Sequence, residues 1–288
     1  MTAKSSSYAK ESLPKEYLHS FHAGNVGDVW KHVVLLSVMQ RLSELSKPLR
    51  VLDCFAGAGG YHLQGTGEWT EGIGALLRNV PSGDVAVDRY LEVVRPRFEK
   101  ERFYPGSPLL IQQFVQADDS LCCFETHAET REVLSRVVAS STAVLGTDGL
   151  AGLQQESRAE LEKGSLLFAL IDPPWVRKED WQAVPKAIIE SWKACPQAVL
   201  LLWYPIKSYT RINAMIKMFQ EAQVPAVVMD LLTTPLEHQR NRLNGSGLLL
   251  INADEEVVAE VSQAATWIGR ACATQGKYWS LRLTELGT

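Results

Sequence analysis

The 288-residue chain lacks the roughly 18 to 20 uninterrupted apolar residues that a membrane span needs, and residues 1–17 hold no apolar core of a secretion signal. Cytoplasmic residence is the expectation. Cysteine is scarce: Cys54, Cys122, Cys123, Cys195 and Cys272 are odd in number and form no C-x-x-C pair, which excludes a zinc ribbon and argues against a disulfide framework. No internal repeat occurs, and no low-complexity run beyond the serines at 5–7, so a solenoid is excluded and residues 1–16 read as a flexible leader. Charge of one sign is also missing. The 29 Lys and Arg against 33 Asp and Glu leave a net charge of −4, so the surface is not coated for nucleic acid, although an enzyme acting on it needs only a local basic patch. Arg89, Arg95, Arg97, Lys100 and Arg102 form one such cluster, Lys207, Arg211 and Lys217 another, with Arg240 and Arg242 beyond; each alone reads as a solvated helix face.

What is present is core. With 46% hydrophobic residues the chain can bury one large domain, read here as 17–288. Apolar residues at helical spacing over 29–45 stop at Pro48, and residues 49–54 then form a short apolar run that breaks into Phe55-Ala56-Gly57-Ala58-Gly59-Gly60. Further apolar runs at 121–124, 143–145, 166–171, 198–203, 226–231 and 248–251 read as buried strands. Helical patterns at 108–116, 130–140, 181–194 and 206–222 lie between them. This alternation predicts a Rossmann-like α/β domain with an open, parallel-type sheet. Residues 62–104 are too many for one crossover helix and read as a helical insertion.

Glycines after the first strand let backbone amides approach a ligand. The acidic residues about 20 positions on, Glu68 and Glu71, fall in helical or loop context, which disfavours a nicotinamide dinucleotide. Glu125, just after the strand at 121–124, can accept from two ribose hydroxyls, and Asp148-Gly149 follows another strand where such sheets hold an adenine edge. Read singly, either carboxylate is more readily a surface loop residue.

The most specific feature is Ile171-Asp172-Pro173-Pro174-Trp175, directly after an apolar strand. Two prolines fix an extended backbone and remove two amide donors, leaving carbonyls to accept hydrogen bonds. Adenine N6 is a poor nucleophile because its lone pair is delocalised into the ring. Asp172 can accept one of its hydrogens and the Pro173 carbonyl the other, which stabilises the positive charge that develops on methyl transfer. Trp175 would stack on the flipped base. The plainer reading is a strand-closing turn with Trp175 as core filler.

Several motifs in order resemble the RlmJ family of large-subunit ribosomal RNA adenine N6-methyltransferases. They are Tyr17-Leu18-His19-Ser20-Phe21-His22-Ala23-Gly24-Asn25 with Asp28, Lys31 and His32, then Ala56-Gly57-Ala58-Gly59, Tyr104-Pro105-Gly106-Ser107-Pro108-Leu109, Glu125, Asp148-Gly149, Asp172-Pro173-Pro174 and Leu202-Trp203-Tyr204-Pro205. The resemblance implies S-adenosylmethionine as cofactor and an adenine of protein-free 23S rRNA as target, with a monomeric enzyme expected. It makes Asp172 catalytic and gives His32, Phe55, Gly57, Ser107, Glu125, Asp148, Gly149 and Asp172 to the cofactor. Tyr17, His19, Lys31, Pro173 and Trp175 fall to the substrate. Two departures stand out: Trp175-Val176 replace the family's usual Tyr-Glu, and Phe55 replaces a histidine.

A zinc reading of His19, His22 and His32 finds no carboxylate or cysteine nearby at ligand spacing, so no metal is expected. The same chemistry on DNA is the nearest rival; the chain after residue 175 is patterned as core, with no large target-recognition segment. A non-catalytic cofactor- and RNA-binding module is the rival of a different class, and a nuclease would need clustered carboxylates that the sequence does not offer.

Overall fold

The computed structural model describes residues 19–79, 83–159, 164–237, 243–274 and 277–287. Its centre is an eight-stranded sheet in the order β10-β8-β9-β7-β6-β1-β4-β5. The strands are β1 (Leu49–Asp53), β4 (Ser120–Phe124), β5 (Ala143–Leu145), β6 (Leu166–Ile171), β7 (Val199–Ile206), β8 (Ala226–Leu232), β9 (Gly245–Ile251) and β10 (Ser280–Leu286). Central strands such as β6 are near-continuous apolar runs because helices cover both faces.

The pairs β1 with β4 and β6, β4 with β5, and β6 with β7 are parallel. The pairs β7 with β9, β8 with β9 and β8 with β10 are antiparallel. The sheet is therefore mixed, not the parallel-type sheet expected. Parallel strands need a crossover of a dozen or more residues, normally a helix, and the described residues between β8 and β9 form none. The edge strand β10 carries exposed Arg282 and Glu285 in place of an apolar run, which is why no strand was predicted there.

One face is covered by α2 (Val26–Ser43), α4 (Val85–Glu101) and α10 (Glu255–Cys272), the other by α7 (Gly149–Arg158), α8 (Asp180–Ala194) and α9 (Tyr209–Glu221). Thirteen of the 18 residues of α2 are buried, so it is a core helix, not an amphipathic surface one. Its far side is clamped by α10: Arg41 Nε donates to Asp254 Oδ2 at 2.8 Å, and Ser37 Oγ to Glu260 Oε1 at 2.7 Å. Arg89 on α4 donates to the same Glu260 at 2.6 Å, which makes this member of the first basic cluster a structural residue.

Two short strands, β2 (Gly60–His62) and β3 (Phe103–Pro105), pair antiparallel. Between them lie a 3-10 turn (Glu68–Thr70), α3 (Ile73–Asn79) and α4. The remaining helices are α1 (His19–His22), α5 (Ser107–Ile111) and α6 (Ala128–Val137). All five cysteines are free and buried.

Candidate active site

The crevice forms where β1 is flanked by β4 on one side and β6 on the other, since the chain winds outward in opposite directions from that point. Each neighbouring strand delivers an acid to the same edge: β1 ends on Asp53, β4 is followed by Glu125 and β6 by Asp172.

The glycine turn is shaped by close approach. Gly57 has φ +59°, and a Cβ there would meet the Tyr61 hydroxyl at 2.4 Å. Gly149 starts α7 hard against the turn, with its would-be Cβ only 1.8 Å from the Cys54 carbonyl oxygen. Asp148 caps this helix by accepting from the Ala151 amide at 2.9 Å, so part of its carboxylate is spent on the fold. Glu125 accepts from the His127 amide at 2.7 Å, and burial raises its pKa from the ordinary value.

Asp53 is fully buried, and burial pushes its carboxyl up to about 6, against the Ser107 hydroxyl, which donates to it and favours the charged form. The Phe55 amide donates to Oδ1 at 3.4 Å, whereas Oδ2 is buried without a hydrogen-bond partner. A buried acceptor left unpaired is costly, and a cationic amine in the crevice would satisfy it. The sequence reading passed over Asp53, although an acid closing an apolar strand is itself a signal.

Lys31, the partner of Asp172, is placed by the start of α2. Asn25 caps that helix through the Asp28 amide at 3.0 Å, and Asp28 Oδ2 in return accepts from the Gly24 amide at 2.8 Å. Asp28 Oδ1 then holds Lys31 Nζ at 2.8 Å, and the same ammonium reaches Asp172 Oδ2 at 2.5 Å. Burial opposes the charge on Lys31, but the two carboxylates outweigh it and hold the pKa above its ordinary value. The three groups carry one net negative charge, left beside the diproline loop. His32, one residue on, is 2% exposed, with Nδ1 2.9 Å from the Tyr104 hydroxyl. That hydroxyl lies 3.0 Å from the Tyr90 hydroxyl on α4, so α4 is tied to α2 through β3.

Trp175 departs from the expected stacking role. Its indole N–H donates to the Trp203 carbonyl at 3.0 Å, its ring lies 4.3 Å from that of Trp181, and only 8% of the residue is exposed. Its φ of +52° is rare for a bulky residue and bends the chain so that the ring turns into the core. Pro174 and Val176 are the exposed members of the loop, while Pro173 is buried. The aromatic beside the Lys31 and Asp172 pair is Trp203, whose ring centroid lies 5.8 Å from Lys31 Nζ. Phe55 is half-buried against the core on the α8 side. His22 pairs with Glu68 at 3.0 Å, a different partner from that of His32. Tyr17, the His19 side chain, Arg240 and Arg242 lie outside the described residues.

Residues 46–283 match the family model described as ribosomal RNA large subunit methyltransferase D, RlmJ. The chain is 32% identical over 263 residues to ribosomal RNA large subunit methyltransferase J of Escherichia coli K12, covering 88% of this chain and 92% of that one. The same-named protein of Haemophilus influenzae is 28% identical over 272 residues, covering 90% and 95%. The crystal structure of protein LPL1258 from Legionella pneumophila superposes with a TM-score of 0.75 at 25% identity, over 92% of this chain and 98% of that one. With the fold, the crevice and these matches agreeing, the chain belongs to the RlmJ family of ribosomal RNA large subunit methyltransferases, with S-adenosylmethionine as its cofactor.

Proposed function

We propose that the chain methylates N6 of an adenine in 23S rRNA, acting as a monomer on protein-free RNA. The observation that carries this is the Asp172 carboxylate, fixed at the end of β6 by Lys31 and followed by Pro173. Asp172 accepts one N6 hydrogen and the Pro173 carbonyl the other, which draws the nitrogen toward tetrahedral geometry and opens its lone pair to in-line attack. Asp28 offsets Lys31, so the developing cation meets a net negative charge.

S-adenosylmethionine supplies an electrophilic methyl group on its sulfonium when bound. The residues present fit it: the unpaired Oδ2 of Asp53 suits its ammonium and Glu125 its ribose hydroxyls, while Gly57 keeps the turn tight against the Tyr61 hydroxyl. On this reading His32 and Ser107 would also hold the cofactor, with Asp148 and Gly149 toward its adenine.

The test is incubation with radiolabelled S-adenosylmethionine and, separately, unmodified 23S rRNA, 16S rRNA and genomic DNA, followed by digestion to nucleosides. N6-methyladenosine in 23S rRNA is expected. Label in DNA alone would overturn the substrate, and another methylated nucleoside would overturn the chemistry.

A further inference from the structure

Beside the catalytic crevice, at the N-terminal end of α2, lies a recess of about 420 Å³ that no part of the transfer chemistry uses. The start of α2, the 3-10 turn and the ends of β8 and β9 enclose it. Thr233 and Thr234 line it and are 3% and 4% exposed, and Thr234 Oγ1 lies 2.6 Å from Thr274 Oγ1. Asn25 Nδ2 donates to Glu68 Oε2 at 3.0 Å along one wall, and Phe21, 48% exposed, stands at the mouth.

Three observations specify the occupant. The first is position: Asn25 lines the recess and is six residues before Lys31 on the same helix, roughly 9 Å at the α-helical rise. An unstacked neighbour of a base held at Asp172 spans that distance. The second is charge. Among the described lining residues there is no Lys or Arg, whereas Glu71 is there and Glu68 with its carboxylate shared by His22, so the wall offers acceptors to a base and no cation to a phosphate. The third is chemistry: an exposed aromatic face, hydroxyls and carboxylates are the groups that stack on a splayed base and read its edges. Carboxylates accept from the exocyclic amines of cytosine, adenine and guanine, which uracil lacks.

We infer that this recess is a second nucleotide subsite, which takes the unstacked, amino-bearing base adjacent to the target adenine and so holds the target in its flipped-out state. This rests on the RNA reading above. Phe21 stacks on the base, and Glu71, exposed and without a side-chain hydrogen bond or ion pair among the described residues, accepts from its amine.

Once the methylated adenosine is mapped, the test uses a synthetic RNA hairpin spanning it, with each neighbouring nucleotide in turn replaced by an abasic unit. For the wild type, one of the two replacements raises the KM for RNA about tenfold, the loss of one stacked base, with kcat and cofactor affinity little changed. Phe21→Ala raises KM by a similar factor, and the abasic unit adds nothing further to it. Glu71→Ala, a surface change, erases the preference for cytidine over uridine at that neighbour. Losses that add fully between Phe21→Ala and the abasic unit, or a KM insensitive to both, would overturn the subsite while leaving the methyltransferase reading intact. Absence of transfer to any RNA by the wild type would overturn both.

Discussion

Lys31 and Asp172 lie 141 residues apart in sequence and 2.5 Å apart in space. Their contact joins the first long helix to the loop after β6, and Asp28 shares the same ammonium from the opposite side. Removing the cation in Lys31→Met leaves two carboxylates facing each other in a poorly solvated place. A loss of roughly 3 to 5 kcal/mol of stability is expected, read as a lower urea midpoint at unchanged slope. Asp28→Asn in the same chain should recover part of it; fully additive losses would show that the two acids do not share one cation.

Asp172→Ala removes the acceptor for the reacting amine but none of the groups proposed for the ribose or the methionine ammonium. Transfer should fall by roughly 10² to 10⁴. Cofactor affinity by calorimetry should stay within about tenfold, equivalent to about 1.4 kcal/mol. Wild-type turnover in this variant would sink the mechanism.

Asp53 gives the site a pH dependence. Its buried carboxyl titrates near 6 in the fold. Because the folded pKa is raised, the group favours folding below its unfolded value, roughly 3.9, and that contribution is lost as pH rises through about 6. Cofactor binding runs the other way, since a cationic amine needs the ionised form. Affinity should fall about tenfold per pH unit below about 6 and level off above it. Asp53→Asn should bind weakly with no such slope, and a wild-type profile in this variant would remove Asp53 from the site.

Gly149→Ala puts a methyl group where the Cys54 carbonyl stands. Either α7 or the glycine turn must move, so both thermal stability and cofactor affinity should drop together. A variant that melts normally and binds normally would mean that the approach between them is not needed.

Arg95 and Arg97 are exposed on α4, and Arg97 lies over the Phe103 ring at 5.7 Å. Replacing both with alanine should weaken RNA binding and reduce the slope of log affinity against log salt by nearly two, one phosphate contact apiece. Arg89→Ala should act differently, lowering stability through the lost Glu260 contact. Unchanged RNA affinity in the double variant would move the RNA surface elsewhere.

Much of the fold was legible because buried strands and their glycine or diproline exits are local patterns: residues 49–60 and 166–175 announce themselves without any partner. Strand direction was not, since an apolar run reads the same both ways, and β9 needed its short link to β8 to be seen as antiparallel. The Asp172 loop could be singled out because it is contiguous. For Trp175 the sequence left stacking and core filling both open, because Trp181 and the Trp203 carbonyl that bury it come from elsewhere in the chain. Asp28 stood in the N-terminal motif without a role, and it is one of the two acids that hold Lys31.

The clamp of α10 on α2 makes the position of Lys31 a long-range property of the fold. Lys31 rides on a helix whose outer side is held by Asp254 and Glu260, more than 200 residues further along the chain. Without α10 the glycine turn and the Asp172 loop keep their own strands, but α2 loses these partners.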